Sequence, residues 1–446
     1  MQSKIKTFIY PNGEIQRVQV AYPENWERIF FLKLSYENPA FEGFCNVYRN
    51  FMVPANPWIF GNLVLFRLPD GMGENISRDT QYGKVSEPLT AAAALLRRGV
   101  KMIGTKPVFL NRQAKILWRQ LEEKNCLQVV RGRLPVTTII PVGPLPGYLS
   151  HVQKDAAMKV NGSFFVMDRF DCATVFDHIG TPVGLCVKDG VVSNPPLFGR
   201  EALIVRTGGS VTVETPHLKD LDIEIGGVRY RHGVNARVYS RPERAATPLC
   251  RGKKVTIVGD RVVAVSNRLR AQIPGSGFVL VADQANQIRP GDKVIYRGME
   301  DVRFGMQVGN SILKDGEKTK SFLSRFYNIY ALDRVPFPPC LYPLDFEKAR
   351  AARIALGADR EGRPMLLWAE GAGKLKYIPG VDSCGASLSE MAEICETVGM
   401  YNAVNLDGGG SAQILLNNRR SLRISDRKPE DDSDAERAVP LALMVE

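Results

Sequence analysis

Asn402-Ala-Val-Asn-Leu-Asp-Gly-Gly-Gly-Ser411 runs an apolar strand into a carboxylate, then three glycines, then a hydroxyl. A strand end fixes Asp407 in space. Gly408, Gly409 and Gly410 can take positive φ and let another group approach the backbone closely. Successive amides in such a turn can form a nest for an anion. Asn405 and Ser411, which flank the carboxylate and the glycines, are candidate substrate- or phosphate-binding residues. The competing reading is a tight structural turn, because glycine runs punctuate chains. No Lys follows the glycines, which excludes a P-loop.

Upstream, Ser387-Leu-Ser-Glu390 has the spacing of a helix capping box. Leu388, Met391, Ala392, Cys395 and Val398 then recur at helical spacing, and Gly399 is a helix stop. The local order is capped helix, turn, strand, glycine loop.

A second segment, Ala156-Ala-Met-Lys-Val160, reads as a strand leading into Asn161-Gly-Ser-Phe-Phe165. Together with Asn405-Leu-Asp-Gly-Gly-Gly-Ser411 it resembles the phosphodiester glycosidase family, whose members carry Asn-Gly-x-Phe-Phe and, far downstream, Asn-Leu-Asp-Gly-Gly-Gly-Ser. Further segments are similar to that family in order: Ile273-Pro-Gly-Ser-Gly-Phe-Val-Leu280, Gly291-Asp292, Arg353-Ile-Ala-Leu-Gly357, Gly385-Ala-Ser-Leu-Ser-Glu390 and Glu436-Arg437-Ala-Val439. The resemblance covers roughly residues 136 to 446, and that many ordered motifs is a specific signal. Three positions depart from it: Ile354 and Gln413 each stand where Thr is usual, and Glu370 stands where Asp-Gly is usual.

The resemblance implies cleavage of a sugar-1-phosphodiester at the anomeric carbon, through an oxocarbenium-like transition state. A phosphate monoester leaves as a stable anion. It needs positive charge and hydrogen-bond donors where the anion forms more than it needs a general acid. On this reading Asp407 is the nucleophile, or the base toward water. Asn161 orients sugar hydroxyls or the attacking group, and Glu370 is a candidate second carboxylate. Arg353 grips phosphate by a two-toothed contact, the Gly408–Gly410 amides add donors, and Arg437 is a second phosphate ligand. Two alternatives stay open: a phosphodiesterase that breaks the P–O bond, and a non-catalytic glycan- or nucleotide-binding protein. Many bacterial members of the family are linked to exopolysaccharides, so an anionic glycan is a second candidate substrate.

At 446 residues, 44% hydrophobic and 24% charged, the chain has the composition of a globular protein of about two domains. The expected fold is α+β: mixed β-sheets flanked by helices, with an extra N-terminal α/β accessory domain. The boundary is drawn at residue 135, where Thr137-Thr-Ile-Ile-Pro141 and the Pro/Gly-rich Val142 to Gly147 follow. Residues 1–135 form the accessory domain and 136–446 the catalytic one. Helices are expected over Pro88 to Arg98 and Leu110 to Lys124, a tight turn at Lys188-Asp189-Gly190, and a long irregular insertion over 315–347.

The net charge is +12, and residues 1–135 hold 19 Lys and Arg against 11 Asp and Glu, a net of +8. Arg97, Arg98, Lys101, Lys106, Arg112, Lys115 and Arg119 supply much of that excess. An anionic partner is therefore a candidate for this region, against the simpler reading of an ordinary solvated face. No Cys-x-x-Cys pair occurs among the eight cysteines, and the four histidines are scattered, so neither a metal site nor a cofactor is expected. Buried free thiols are the expected state of the cysteines. No apolar run reaches the length of a membrane helix. Met1–Tyr10 lacks the layout of a signal peptide, and the expected location is cytoplasmic.

Overall fold

The computed structural model describes residues 1–33, 61–66, 68, 88–124, 126–132, 138–141, 148–152, 156–165, 182–197, 199–240, 246–271, 273, 277–285, 287–319, 349–372, 377–428 and 430–446. The linker over 142–147, and all but residues 315–319 of the insertion expected over 315–347, lie outside the described residues.

Strand dominates over helix, in several antiparallel sheets. Eleven strands carry the glycine turn and its surroundings. In chain order they are β1 (Gln2–Ile9), β2 (Ile15–Tyr22), β3 (Ile29–Lys33), β4 (Met158–Asn161), β5 (Ser311–Lys314), β6 (Glu317–Lys318), β7 (Arg353–Ala358), β8 (Pro364–Ala369), β9 (Asn402–Asn405), β10 (Ile414–Leu416) and β11 (Leu441–Val445). Seven form one sheet in the order β1-β2-β8-β7-β9-β5-β6, and four form another in the order β10-β4-β11-β3. Every pairing in both is antiparallel. The expected mixed pairing occurs instead in a separate three-stranded sheet, where Gly61–Phe66 pairs antiparallel with Leu127–Gly132 and parallel with Thr138–Pro141. Among the described residues a single strand pair is parallel, Leu63–Phe66 with Thr138–Pro141.

The strand pattern explains the layers. Side chains alternate along a strand, so each strand serves two faces. On one face of the seven-stranded sheet, Ile354, Leu356, Leu366, Trp368 and Val404 join Val160, Ile414, Leu441 and Leu443 of the four-stranded sheet in one core. On the other face, Val18, Val20, Ala355, Leu367 and Ala403 pack with Met391, Ala392, Ile394 and Cys395. The latter four lie on a helix, Leu388–Thr397. All of these are buried, and each fully buried aliphatic side chain contributes about 1.5–3 kcal/mol. Ile354 is fully buried between the two sheets. An apolar residue at that position therefore fills the core.

Helices are few among the described residues: α1 (Pro88–Gly99), α2 (Arg112–Glu123) and α3 (Leu388–Thr397). The Asn111 side chain caps α2 by accepting from the Ala114 amide at 2.8 Å. Ala114, Leu117, Trp118 and Leu121 form its buried stripe, while Arg112, Lys115 and Arg119 are exposed. In α3 the capping box is made: the Ser387 hydroxyl accepts from the Glu390 amide at 3.2 Å, and Glu390 accepts from the Ser387 amide at 2.8 Å. The expected turn at Asp189-Gly190 has φ of 49° and 76° at its two residues, as a tight hairpin requires.

The pairing crosses the boundary drawn at residue 135. β2 pairs with β8, registering Val18 with Ala369, and β3 pairs with β11, registering Ile29 with Val445. A cut at 135 removes three strands from the two sheets that hold the glycine turn. The residues that keep to themselves in sheet pairing are later ones: Gly61–Phe66, Leu127–Gly132 and Thr138–Pro141 form a sheet of their own.

Candidate active site around a glycine turn

β9 lies inside the seven-stranded sheet, and its pairing with β7 sets Ala355 opposite Asn405. The ladder continues one step further, through the Leu406 amide to the Ile354 carbonyl at 2.9 Å. Extended by one more residue, this register sets Arg353 across from Asp407. There the chain leaves the sheet: the Asp407 amide donates to Gly162 O at 3.3 Å, and Gly409–Ser411 makes a single 3-10 turn. Asp407, Gly408 and Gly409 are half-buried, whereas Gly410, Ser411, Ala412 and Gln413 are buried. Asp407 thus lies, with Gly408 and Gly409, at the less buried end of the turn.

Each glycine has its own reason. A Cβ on Gly408 would lie 2.8 Å from Ala352 O and 3.6 Å from Arg353 Cδ. Gly409 has φ of +59° and open space beside it. A Cβ on Gly410 would lie 2.2 Å from Asp426 Oδ2 and 2.3 Å from Arg437 Nη2. The Gly409 amide donates to Ala352 O at 2.8 Å, so this one of the three expected anion donors is committed to the fold.

Asn161 is 1% exposed at the end of β4. Its Nδ2 donates to Asp407 O at 2.7 Å, and its Oδ1 accepts from the Gln413 amide at 3.0 Å. The side chain latches both ends of the turn. Gln413 continues the chain of bonds, donating from Nε2 to Arg437 O at 2.8 Å. Its bulk and amide, at a position where the sequence departs from the family, are used to tie the turn to the segment before β11.

Arg437 meets the turn from that segment. Its Nη2 and Nε lie 2.7 and 3.0 Å from one oxygen of Asp426, and its Nη1 reaches Ser411 Oγ at 3.5 Å. Arg353 is 5% exposed, with Nε donating to Ala386 O at 3.1 Å and Nη2 to Ala349 O at 2.9 Å. Two of the Arg353 donors thus hold backbone carbonyls. Glu370 is 3% exposed. It accepts from Arg17 Nε at 2.7 Å, Ser383 Oγ at 2.6 Å and the Arg423 amide at 2.8 Å. A carboxylate with three donors is a brace between β2, the α3 approach and the segment after β10. Asn405 is fully buried, its amide donating to Asn310 O and its carbonyl accepting from Gly309. The structure therefore brings Asp407, the glycines, Ser411, Asn161, Arg353 and Arg437 together. Asp426 and Gln413 join them unforeseen. Ser163, two residues past Asn161, is also buried, with its hydroxyl unpartnered among the described residues.

The acidic loop that follows the turn is paired with arginines: Arg437 with Asp426, Arg427 with Asp434 at 2.5 Å, and Arg420 with Glu436 at 2.5 Å. Among the described residues no group of three or more His, Cys, Asp or Glu is placed to hold a metal. The described cysteines, Cys126, Cys186, Cys250, Cys384 and Cys395, are free thiols, and all but Cys250 are buried. No described helix is long and apolar enough to cross a membrane. A cleft of about 590 Å³ lies at the other end of the same strands, lined by Leu356–Arg360, Asn402–Val404, Glu201 and Thr212 among others.

Comparison with known proteins bears on the same segment. Residues 229–446 match the family model described as phosphodiester glycosidase. Over 72 residues the chain is 42% identical to N-acetylglucosamine-1-phosphodiester alpha-N-acetylglucosaminidase of Mus musculus and 40% identical to that of Homo sapiens. Each match covers 16% of this chain and 12% of the relative, so the chain spans about an eighth of the length of the curated relatives it matches. The catalytic domain of the zebrafish enzyme of that name, auto-inhibited by its pro-peptide, is similar at 16% identity and a TM-score of 0.32, covering 67% of each chain. A hypothetical protein from Synechocystis is similar at 16% identity and a TM-score of 0.41, covering 99% of this chain and 62% of that one. Residues 229–446, which hold Arg353, Asp407 and the glycine turn, belong to the phosphodiester glycosidase family.

Proposed function

We propose that the glycine turn hydrolyses the glycosidic C1–O bond of a sugar-1-phosphodiester, releasing the free sugar and a phosphate monoester. The observation that supports this reading is Asp407, half-buried with Gly408 and Gly409 at the start of a turn whose later residues are buried and latched by Asn161. Asp407 attacks the anomeric carbon, or takes a proton from the water that does. The C1–O bond breaks with its electron pair going to oxygen, which leaves with phosphate. Water supplies the new oxygen on the sugar, and its two protons balance the products. Arg353, beneath Gly408, supplies positive charge, and Arg437, beside Ser411, supplies hydrogen-bond donors where the leaving phosphate gains charge. Asn161 acts by fixing the Asp407 carbonyl. Glu370, held by three donors, transfers no proton in this scheme. The identity to N-acetylglucosaminidases over 72 residues makes an N-acetylglucosamine-1-phosphodiester the first substrate to try.

The test is hydrolysis in heavy-oxygen water with both products weighed. Label is expected on the sugar and none on phosphate, with Asp407→Asn inactive. Label on phosphate would replace this reading by P–O cleavage. No turnover across a panel of sugars and esters would leave a binding protein.

A further inference from the structure

We infer that Asp426 is a positioning residue for phosphate recognition: it sets the Arg437 guanidinium against the glycine turn. This rests on the reading of the turn as a phosphodiester site. Three observations carry it. First, Arg437 Nη2 and Nε converge on a single oxygen of Asp426, at 2.7 and 3.0 Å. Two contacts from one edge of a planar fork fix its plane, which a single contact would not. With that edge committed, Nη1 comes to the turn, 3.5 Å from Ser411 Oγ. Second, the pair lies directly on Gly410, where even a methyl group would overlap both partners. The third glycine of the run is the space the ion pair occupies. Third, both partners are anchored independently. Arg437 is held at its carbonyl by Gln413 Nε2, and Asp426 is held at its carbonyl by the Ala435 amide at 2.9 Å. The side chains of Arg437 and Asp426 are 16% and 21% exposed, so solvent screens the pair only in part.

Asp426 also sets the sign of the site. A lone Arg437 would attract any anion. An Arg437 already paired presents donors with little net charge, and so favours a group that matches its hydrogen bonds. The phosphate monoester product, which carries both charge and matching oxygens, is the ligand class this arrangement selects.

The test uses the full chain and four variants: Asp426→Ala, Asp426→Asn, Arg437→Gln and the double Asp426→Ala/Arg437→Gln. Turnover of a sugar-1-phosphodiester and calorimetric affinity for glycerol phosphate are both read. Asp426→Ala is expected to lower kcat/KM and phosphate-ester affinity by about a hundredfold and about tenfold, and Asp426→Asn, which keeps an acceptor, to recover most of each loss. The double variant should be no worse than Arg437→Gln, because Asp426 acts only through Arg437. Asp434→Ala is the control, since it breaks the Arg427 pair in the same loop and leaves Gly410 untouched. Equal losses from Asp434→Ala, or additive losses in the double variant, would overturn the clamp and leave general loop integrity. A wild type that turns over while Asp426→Ala matches it would overturn the clamp alone. A wild type that neither turns over nor binds glycerol phosphate would overturn the phosphodiester reading and the clamp with it.

Discussion

A Cβ on Gly410 would overlap the Asp426–Arg437 pair, and one on Gly408 would press on the Ala352 carbonyl, whereas Gly409 faces open space with φ of +59°. Three successive alanine substitutions should therefore separate. Gly409→Ala is expected to cost about 1–2 kcal/mol, the strain of a left-handed residue with a side chain, and to keep most activity. Gly408→Ala and Gly410→Ala should each lower kcat/KM at least about tenfold, since backbone or ion pair must shift to admit the methyl. Thermal unfolding with initial-rate assays of all three checks this, and equal effects would show that the run acts only as a flexible hinge. The glycines, Asp407 and Asn161 were legible in the sequence because their motifs are local. The contacts of Asn161 with Asp407 and Gln413, and of Gln413 with Arg437, were not. They are side chain to backbone contacts between distant segments, and such contacts leave no period for a sequence to show.

Helix α3 and β7 meet the N-terminal hairpin through charge. Arg350 contacts Glu14 and Glu390, each at 2.5 Å, and lies over the Tyr10 ring. Hydrogen bonds from Asn12, then from Arg350 and Tyr377, hold Glu14 below its ordinary value of 4.5. For Glu390, burial pushes upward, but Arg350 and Ser387 outweigh it and the net shift is downward. Lowered folded values mean that these carboxylates stabilise the fold above about pH 4.5, and that this is lost as pH falls through the lower folded values. The chemical-denaturation midpoint should drop between pH 5 and pH 3, and Arg350→Gln should flatten that dependence. An unchanged slope in the variant would place the acid sensitivity elsewhere. The α3 capping box was readable at Ser387 and Glu390 because its residues are three apart. The Arg350 junction joins residues up to 376 positions apart, from Glu14 to Glu390, and only the fold brings them together.

At the scale of the whole molecule, the first 33 residues belong to the sheets that carry the turn. A protein beginning near residue 135 lacks β1, β2 and β3, and so leaves β8 and β11 as open apolar edges. Such edges template aggregation. The shortened protein is expected in inclusion bodies, and soluble, cooperatively unfolding material would show that β8 and β11 tolerate exposure. Strand pairing crosses the boundary drawn from the sequence, because pairing between distant segments leaves no mark in local composition. The Pro/Gly-rich segment after residue 135 and the start of the family resemblance suggested a separate N-terminal unit, yet strands within the first 33 residues pair with strands near the carboxyl end.

That pairing has a consequence for the order in which the protein is made. β11 lies between β3 and β4, so Asn161 emerges from the ribosome long before the strand that flanks it. Asn161 cannot be set against the Asp407 turn within a finished sheet until residues 441–445 have been added. A nascent chain stalled before residue 441 carries every residue proposed for the reaction and still lacks the sheet that aligns them. Synthesis itself leaves Asn161 without its flanking strand until β11 is in place.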